Sequence, residues 1–98
     1  MNQYLAAISL PTHLTEEFVA LIPAQRKHVN QLIGDGTLTG YSLALDRSKL
    51  WVTMVAETAR EAEEIVAAFP LWKFFEVEIY PLAFHQSSRA ALLKVSLN

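Results

Sequence analysis

Apolar residues recur along this chain with two different periods, and these periods predict its elements. Alternation of apolar residues predicts β-strands over residues 2–10, 38–46, 49–56 and 74–83. Apolar residues spaced three and four apart predict α-helices over residues 15–33 and 58–69. The order is therefore β-α-β-β-α-β, which is typical of the ferredoxin-like α+β fold, an antiparallel sheet with two helices on one face.

Capping and turn residues mark the ends of the two predicted helices. Thr15 and Thr58 are predicted N-caps, and Thr58 with Glu61 has the spacing of a capping box. Gly34 is expected to end the first helix. Pro23 lies inside that helix and lacks a backbone N–H, so we expect a kink or a break there.

The composition suggests that a second copy of the chain covers the other face of the sheet. The 98 residues make one domain, and 52% of them are hydrophobic while only 18% are charged. The first three strands are apolar on both faces, yet two helices can cover only one face. We therefore predict a homodimer in which two sheets pack into a dimeric α+β barrel. Residues 86–98 are predicted to form a tail on a neighbouring subunit, and a tail folded back on its own subunit is the alternative.

Charge and composition argue against several classes of partner. The net charge is −2, and the largest basic cluster is Arg26-Lys27-His28, so neither nucleic acid nor an anionic membrane is an expected partner. The chain has no cysteine, which excludes disulfides and thiol chemistry. No apolar run approaches the length of a membrane span, and the first residues do not resemble a signal peptide, so we expect a cytoplasmic protein.

Gln25 and His28 are the polar residues that stand out on the first helix. At about 100° per residue, Gln25 falls inside the apolar stripe, between Leu21 and Val29, and His28 falls at its edge. A buried amide needs partners, so Gln25 either satisfies a backbone group, such as a carbonyl freed by Pro23, or holds a ligand oxygen in a pocket. His28 is either a boundary histidine with one nitrogen in water or a general base.

Trp72 and His85 are further candidates for contact with a substrate. The alternatives are a core or interface anchor for Trp72 and a structural turn residue for His85. Glu76 and Glu78 lie on one face of the last predicted strand, which is more typical of a solvent face than of an acid–base couple. The three histidines of the chain lack the spacing of metal ligands, so no metal is expected.

The carboxyl-terminal part of the chain resembles the muconolactone isomerase family. The resemblance is carried by Pro70-Leu71, an acidic strand with Glu76 and Glu78, and then Pro81-Leu82-Ala83, His85 and Ser87-Ser88. The remaining elements match the family in order and length. The resemblance implies a dimeric α+β barrel, assembled into larger rings in many members, and proton transfer within a small unsaturated lactone without a cofactor.

Such a reaction requires a base beside the lactone carbonyl and donors that hold the dienolate oxygen. His28 and Tyr41 are the predicted catalytic residues, as base and donor, and Gln25 is predicted to bind the substrate as a second donor. Where the family has a His and an Arg after the first helix, this chain has Gly40 and Leu43. Two alternatives therefore stay open, a non-catalytic small-molecule-binding module and another enzyme of the same fold, such as a cofactor-free monooxygenase or a YCII-like protein.

Overall fold

The computed structural model describes residues 1–86 of the chain. The elements are β1 (Asn2–Ser9), α1 (Glu16–Gly34), β2 (Leu38–Leu43), β3 (Lys49–Ala56), α2 (Ala59–Ala67) and β4 (Glu76–Leu82), with a 3-10 turn over Trp72–Phe74. Ser87, Ser88 and nearly all of the predicted tail lie outside the described residues.

The four strands form one antiparallel sheet in the order β2-β3-β1-β4. The central strand β1 pairs with β3 on one side and with β4 on the other, so that Ala6 lies between Val52 and Ile79. This topology confirms the predicted ferredoxin-like α+β fold.

The core lies between the sheet and the two helices. The exposure of the side chains alternates along β1 and β3, because successive residues of a strand point to opposite faces. The buried members of both strands face the helices, where they pack with Val29 of α1 and with Ala62 and Val66 of α2. These core residues of the two strands are Tyr4, Ala6, Ile8, Leu50, Val52, Met54 and Ala56.

The predicted caps are present, and of the kink or break predicted at Pro23 the break is wrong. The Thr15 side chain accepts a hydrogen bond from the Phe18 N–H, and the Thr58 side chain accepts one from the Glu61 N–H, each at 3.1 Å. Helix α1 continues through Pro23, which lies on its exposed side. The proline removes one backbone bond, and packing of the apolar face of α1 against the sheet holds the rest of the helix.

Strands β2 and β4 differ most from their predicted bounds, and local turns explain where β2 ends and where β4 begins. The backbone N–H of Arg47 donates to the Ala44 carbonyl at 2.9 Å, so the chain already turns where β2 was expected to continue. Strand β4 begins only at Glu76, because the Phe74 N–H donates to the Leu71 carbonyl within the 3-10 turn.

No helix of residues 1–86 covers the second face of the sheet, and the side chains there are a mixture of apolar and polar groups. Trp51, Glu78 and Tyr80 are exposed there, with Leu5 and Ala7 between them on β1. The Tyr80 hydroxyl donates to the Glu78 carboxylate, and this hydrogen bond with its adjacent negative charge raises the pKa of Tyr80. We call this surface the open face.

Across residues 1–86, neither helix combines the length and the apolar character that crossing a bilayer requires.

Candidate functional site

A cleft of about 320 Å³ opens between α1, the β2–β3 hairpin and the segment that precedes β4. Its size falls at the lower end of the range for small-molecule sites. Gln25 and Tyr41 supply polar groups to the cleft, and Arg26 and Arg47 supply positive charge. Its walls are apolar side chains, namely Leu10, Leu14, Phe18, Ile22, Leu43, Leu50, Leu71 and Phe75.

Gln25 is fixed by hydrogen bonds from both ends of its amide. Its side chain is only 4% exposed. The Leu71 backbone N–H donates to Gln25 Oε1 at 3.1 Å, and Gln25 Nε2 donates to the Tyr41 hydroxyl at 3.4 Å. Because a backbone N–H can only donate, Oε1 must face Leu71, and the NH₂ group must face Tyr41. The backbone group that Gln25 satisfies is therefore the N–H of Leu71, not a carbonyl freed by Pro23.

A one-residue irregularity in β2 brings Tyr41 to the side of the sheet that faces Gln25. Leu38 pairs with Met54, whereas Gly40 already pairs with Thr53, so the register shifts between them. Simple alternation would place Leu38 and Tyr41 on opposite faces. The shift puts Tyr41 opposite the core residue Val52, and its half-buried ring then faces α1.

Tyr41 has a proton available for a ligand. Its hydroxyl oxygen accepts from Gln25, so its own O–H can donate into the cleft. The second N–H of the Gln25 amide is a further donor beside it. The cleft therefore offers two neighbouring neutral donors inside apolar walls.

Two cations at the cleft were not expected from the sequence. Arg26 follows Gln25 on α1, and its exposed side chain lines the cleft. Arg47 lies in the β2–β3 turn with a positive φ of 64°. Nothing in the sequence around this turn indicates a site. Only the fold shows that the turn lies close to α1, so that Arg47 lines the same cleft as Gln25.

His28 does not line the cleft, although it lies on the next turn of α1 after Gln25. Its ring packs edge-on against Phe69, with ring centroids 5.8 Å apart. Its Nε2 is buried without a hydrogen-bond partner among the described residues. The structure thus brings Gln25 and Tyr41 together in the cleft, whereas the His28 imidazole lies outside it, against Phe69.

Trp72 and His85 lie away from the Gln25–Tyr41 pair. Trp72 lines a separate groove between α2 and the β4 edge. The His85 backbone N–H donates to Gln3 Oε1 at 2.9 Å, near the start of β1, whereas the cleft lies beyond the other end of that strand, at Leu10. Five residues were predicted to form the site. Of these, Gln25 and Tyr41 line the cleft, and the other three, His28, Trp72 and His85, do not.

No cluster of three or more His, Asp or Glu side chains suited to a metal ion occurs within residues 1–86.

Comparison with known proteins identifies one family and 11 matching chains of solved structures, among them the two that follow. The family model of muconolactone delta-isomerase matches residues 4–88. A crystal structure of muconolactone isomerase superposes with a TM-score of 0.70 at 14% sequence identity, covering 89% of this chain and 94% of that chain. A search of curated protein sequences gave no significant match.

The second related structure is 5-chloro-2-hydroxyhydroquinone dehydrochlorinase from Burkholderia phenoliruptrix, in complex with 2,5-dihydroxybenzoquinone. It superposes with a TM-score of 0.60 at 16% identity, covering 85% of this chain and 95% of that chain. At such identities the two superpositions establish a shared fold, and fold alone does not define a reaction.

Proposed function

Because this chain belongs to the muconolactone delta-isomerase family, we propose that it catalyses proton transfer, without a cofactor, within a small unsaturated lactone or a related carbonyl compound. The site of this reaction is the cleft that contains Gln25 and Tyr41. The two related structures are named for enzymes that act on small oxygenated rings, and a ring of that size suits the cleft.

The paired donors of Gln25 and Tyr41 are the observation that supports this proposal. Removal of a proton beside a carbonyl places negative charge on the carbonyl oxygen, and fixed donors in an apolar site stabilise that charge. The Tyr41 O–H and the free N–H of Gln25 are such donors. The bond from Leu71 to Gln25 Oε1 holds the amide in the required orientation before a ligand arrives.

His28 is the proposed proton acceptor. His28 Nε2 is buried without a hydrogen-bond partner within residues 1–86, which is uncommon, and a role in proton transfer is one explanation for such a nitrogen. To reach a ligand in the cleft, the imidazole must turn from Phe69 towards Gln25. Replacing His28 with alanine is therefore expected to abolish turnover while the protein stays folded.

Binding without conversion is the second candidate function. The described lining of the cleft contains neither a carboxylate nor an imidazole, and these are the usual general bases. Under this alternative, Gln25 and Tyr41 bind a carbonyl compound that leaves unchanged, and His28 is dispensable.

Proton NMR of muconolactone with the purified protein in D₂O tests the proposal. We expect deuterium to enter the ring position next to the carbonyl at a rate proportional to protein concentration. Replacing Tyr41 with phenylalanine removes one donor and is expected to slow the exchange by about 10²-fold. Tyr80→Phe is the matched control, because Tyr80 lies on the open face, and it should retain the wild-type rate.

One result would count against catalysis, and another would count against His28 as the base. Exchange no faster than in buffer, together with saturable binding of the lactone, would establish the binding function instead. An active His28→Ala protein would remove His28 as the base and leave the donor pair in place.

A further inference from the structure

Two arginine side chains line the cleft without an acidic partner. The described part of the chain contains two ion pairs, Arg60 with Glu64 and Lys73 with Glu17, and neither involves Arg26 or Arg47. The lining of the cleft within residues 1–86 also contains no Asp or Glu. The cleft, whose walls are mostly apolar, therefore carries two positive charges without an acidic partner among residues 1–86, and such a site attracts anions.

The backbone of Arg47 is in a conformation that its side chain disfavours. Its φ is 64°, in the left-handed region, where glycine and asparagine are the usual residues. Glycine in this position would relieve the steric conflict of the arginine Cβ. Strain of this kind at a site is a reason to look for a function of the side chain.

The turn that holds Arg47 is well ordered by its own hydrogen bonds. The Ala44 N–H donates to the Lys49 carbonyl at 2.8 Å, and the Arg47 N–H donates to the Ala44 carbonyl at 2.9 Å. The neighbouring acid, Asp46, accepts from the Ser48 N–H and from the Ser48 hydroxyl, at 2.9 and 2.7 Å. The carboxylate nearest in sequence to Arg47 is thus bound within the turn.

From the charge, the strain and the position together, we propose that Arg47 determines specificity in the cleft by binding a carboxylate of the ligand. Its guanidinium matches a carboxylate with two parallel hydrogen bonds, and Arg26 adds a second positive charge on the opposite wall. The ligand class is a small planar ring that bears a carboxylate. This inference shares the cleft with the proposed function, but it does not require that the protein catalyses a reaction.

Isothermal titration of the full chain with benzoate and with neutral benzamide tests the inference without requiring turnover. We expect wild type to bind benzoate about tenfold more tightly than benzamide, as for a charge-assisted hydrogen bond at a partly solvated site. Arg47→Gln should remove this preference and leave the affinity for benzamide unchanged. Arg60→Gln is the matched control, since it removes the same charge on α2, far from the cleft, and should keep the preference.

Arg47→Gly provides a second, independent variant. It should lose the preference for benzoate as Arg47→Gln does, and its unfolding temperature should rise because glycine accepts the left-handed backbone. Arg47→Lys should keep part of the preference for benzoate, because lysine retains the positive charge but lacks the planar guanidinium that forms two parallel hydrogen bonds.

The inference is overturned if wild type binds benzoate no more tightly than benzamide, or if the glutamine and glycine variants keep the preference. Failure of the proposed function has a different signature. In that case deuterium exchange into the lactone is absent while the Arg47-dependent preference for benzoate persists.

Discussion

Gln25 serves the fold and the candidate site with the same side chain. Its Oε1 satisfies a backbone N–H that the turn after α2 would otherwise bury unpaired, and its NH₂ group points to the Tyr41 hydroxyl. The two interpretations of Gln25 from sequence, structural and functional, are therefore compatible with each other. A buried side chain that packing and hydrogen bonds hold in one rotamer can also orient a ligand.

Replacing Gln25 with leucine is expected to lower the free energy of unfolding by about 2 kcal/mol. The loss comes from leaving the Leu71 N–H buried without an acceptor, which outweighs the gain of an apolar side chain. Urea denaturation followed by circular dichroism measures the change. Gln31→Leu, an exposed change on the same helix, is the control and should shift stability little. Equal stabilities of the two variants would contradict a stabilising role of the Gln25 amide.

Strand β2 is the element that assembles the cleft, because its shift in register decides where Tyr41 points. The shift occurs between Leu38 and Gly40, where the Thr39 hydroxyl donates to the Thr53 hydroxyl at 3.0 Å. Gly40 allows the close approach to β3, since a Cβ added there would lie 2.4 Å from Thr53 Oγ1. A β-bulge of this kind redirects a side chain at a functional site.

Gly40→Ala is expected to destabilise the protein by about 1–3 kcal/mol, as for other overpacked contacts, and to weaken ligand binding through Tyr41. Thr53→Ala in the Gly40→Ala background removes the atom that the new methyl group meets. The double variant should therefore recover most of the lost stability, and thermal unfolding of the four proteins of the cycle measures this coupling. Purely additive effects of the two substitutions would contradict a direct contact between these positions.

At the scale of the whole molecule, the open face is the surface of the sheet that neither α1 nor α2 covers. Trp51 is 41% exposed there, next to Ala7 across the pairing of β1 with β3. Exposed apolar surface on a sheet is typical of a protein–protein contact. The homodimeric barrel predicted from composition remains a prediction, and the open face is the surface on which we propose that it forms.

Trp51→Lys is expected to convert the assembly into monomers, because it places a charge in the middle of the proposed contact between sheets. Sedimentation velocity measures the size of the particle. Trp72→Lys is a matched control, since Trp72 is also 41% exposed but lies in the groove beside α2, and it should leave the size unchanged. A wild-type monomer would refute the barrel, and a chain ending at Ser88 would test the predicted role of the tail in the same experiment.

The sequence by itself determined the order of the elements and identified one polar residue of the candidate site. Strand alternation, helical spacing and the two threonine caps are local properties, since each depends on residues a few positions apart. Gln25 was identifiable for the same reason, as one polar side chain in an apolar stripe. His28, Trp72 and His85 were grouped with it by residue type, and residue type does not specify the distance between side chains.

Only the tertiary structure decided which side chains share the cleft. Tyr41 reaches Gln25 through a register shift of one residue, and a hairpin turn brings Arg47 over the apolar face of α1. Both placements depend on how β2 pairs with β3, a contact between segments whose register cannot be read from either strand alone. The Leu71 N–H reaches Gln25 across 46 positions of the chain, and only the packing of α1 against the segment between α2 and β4 brings them together.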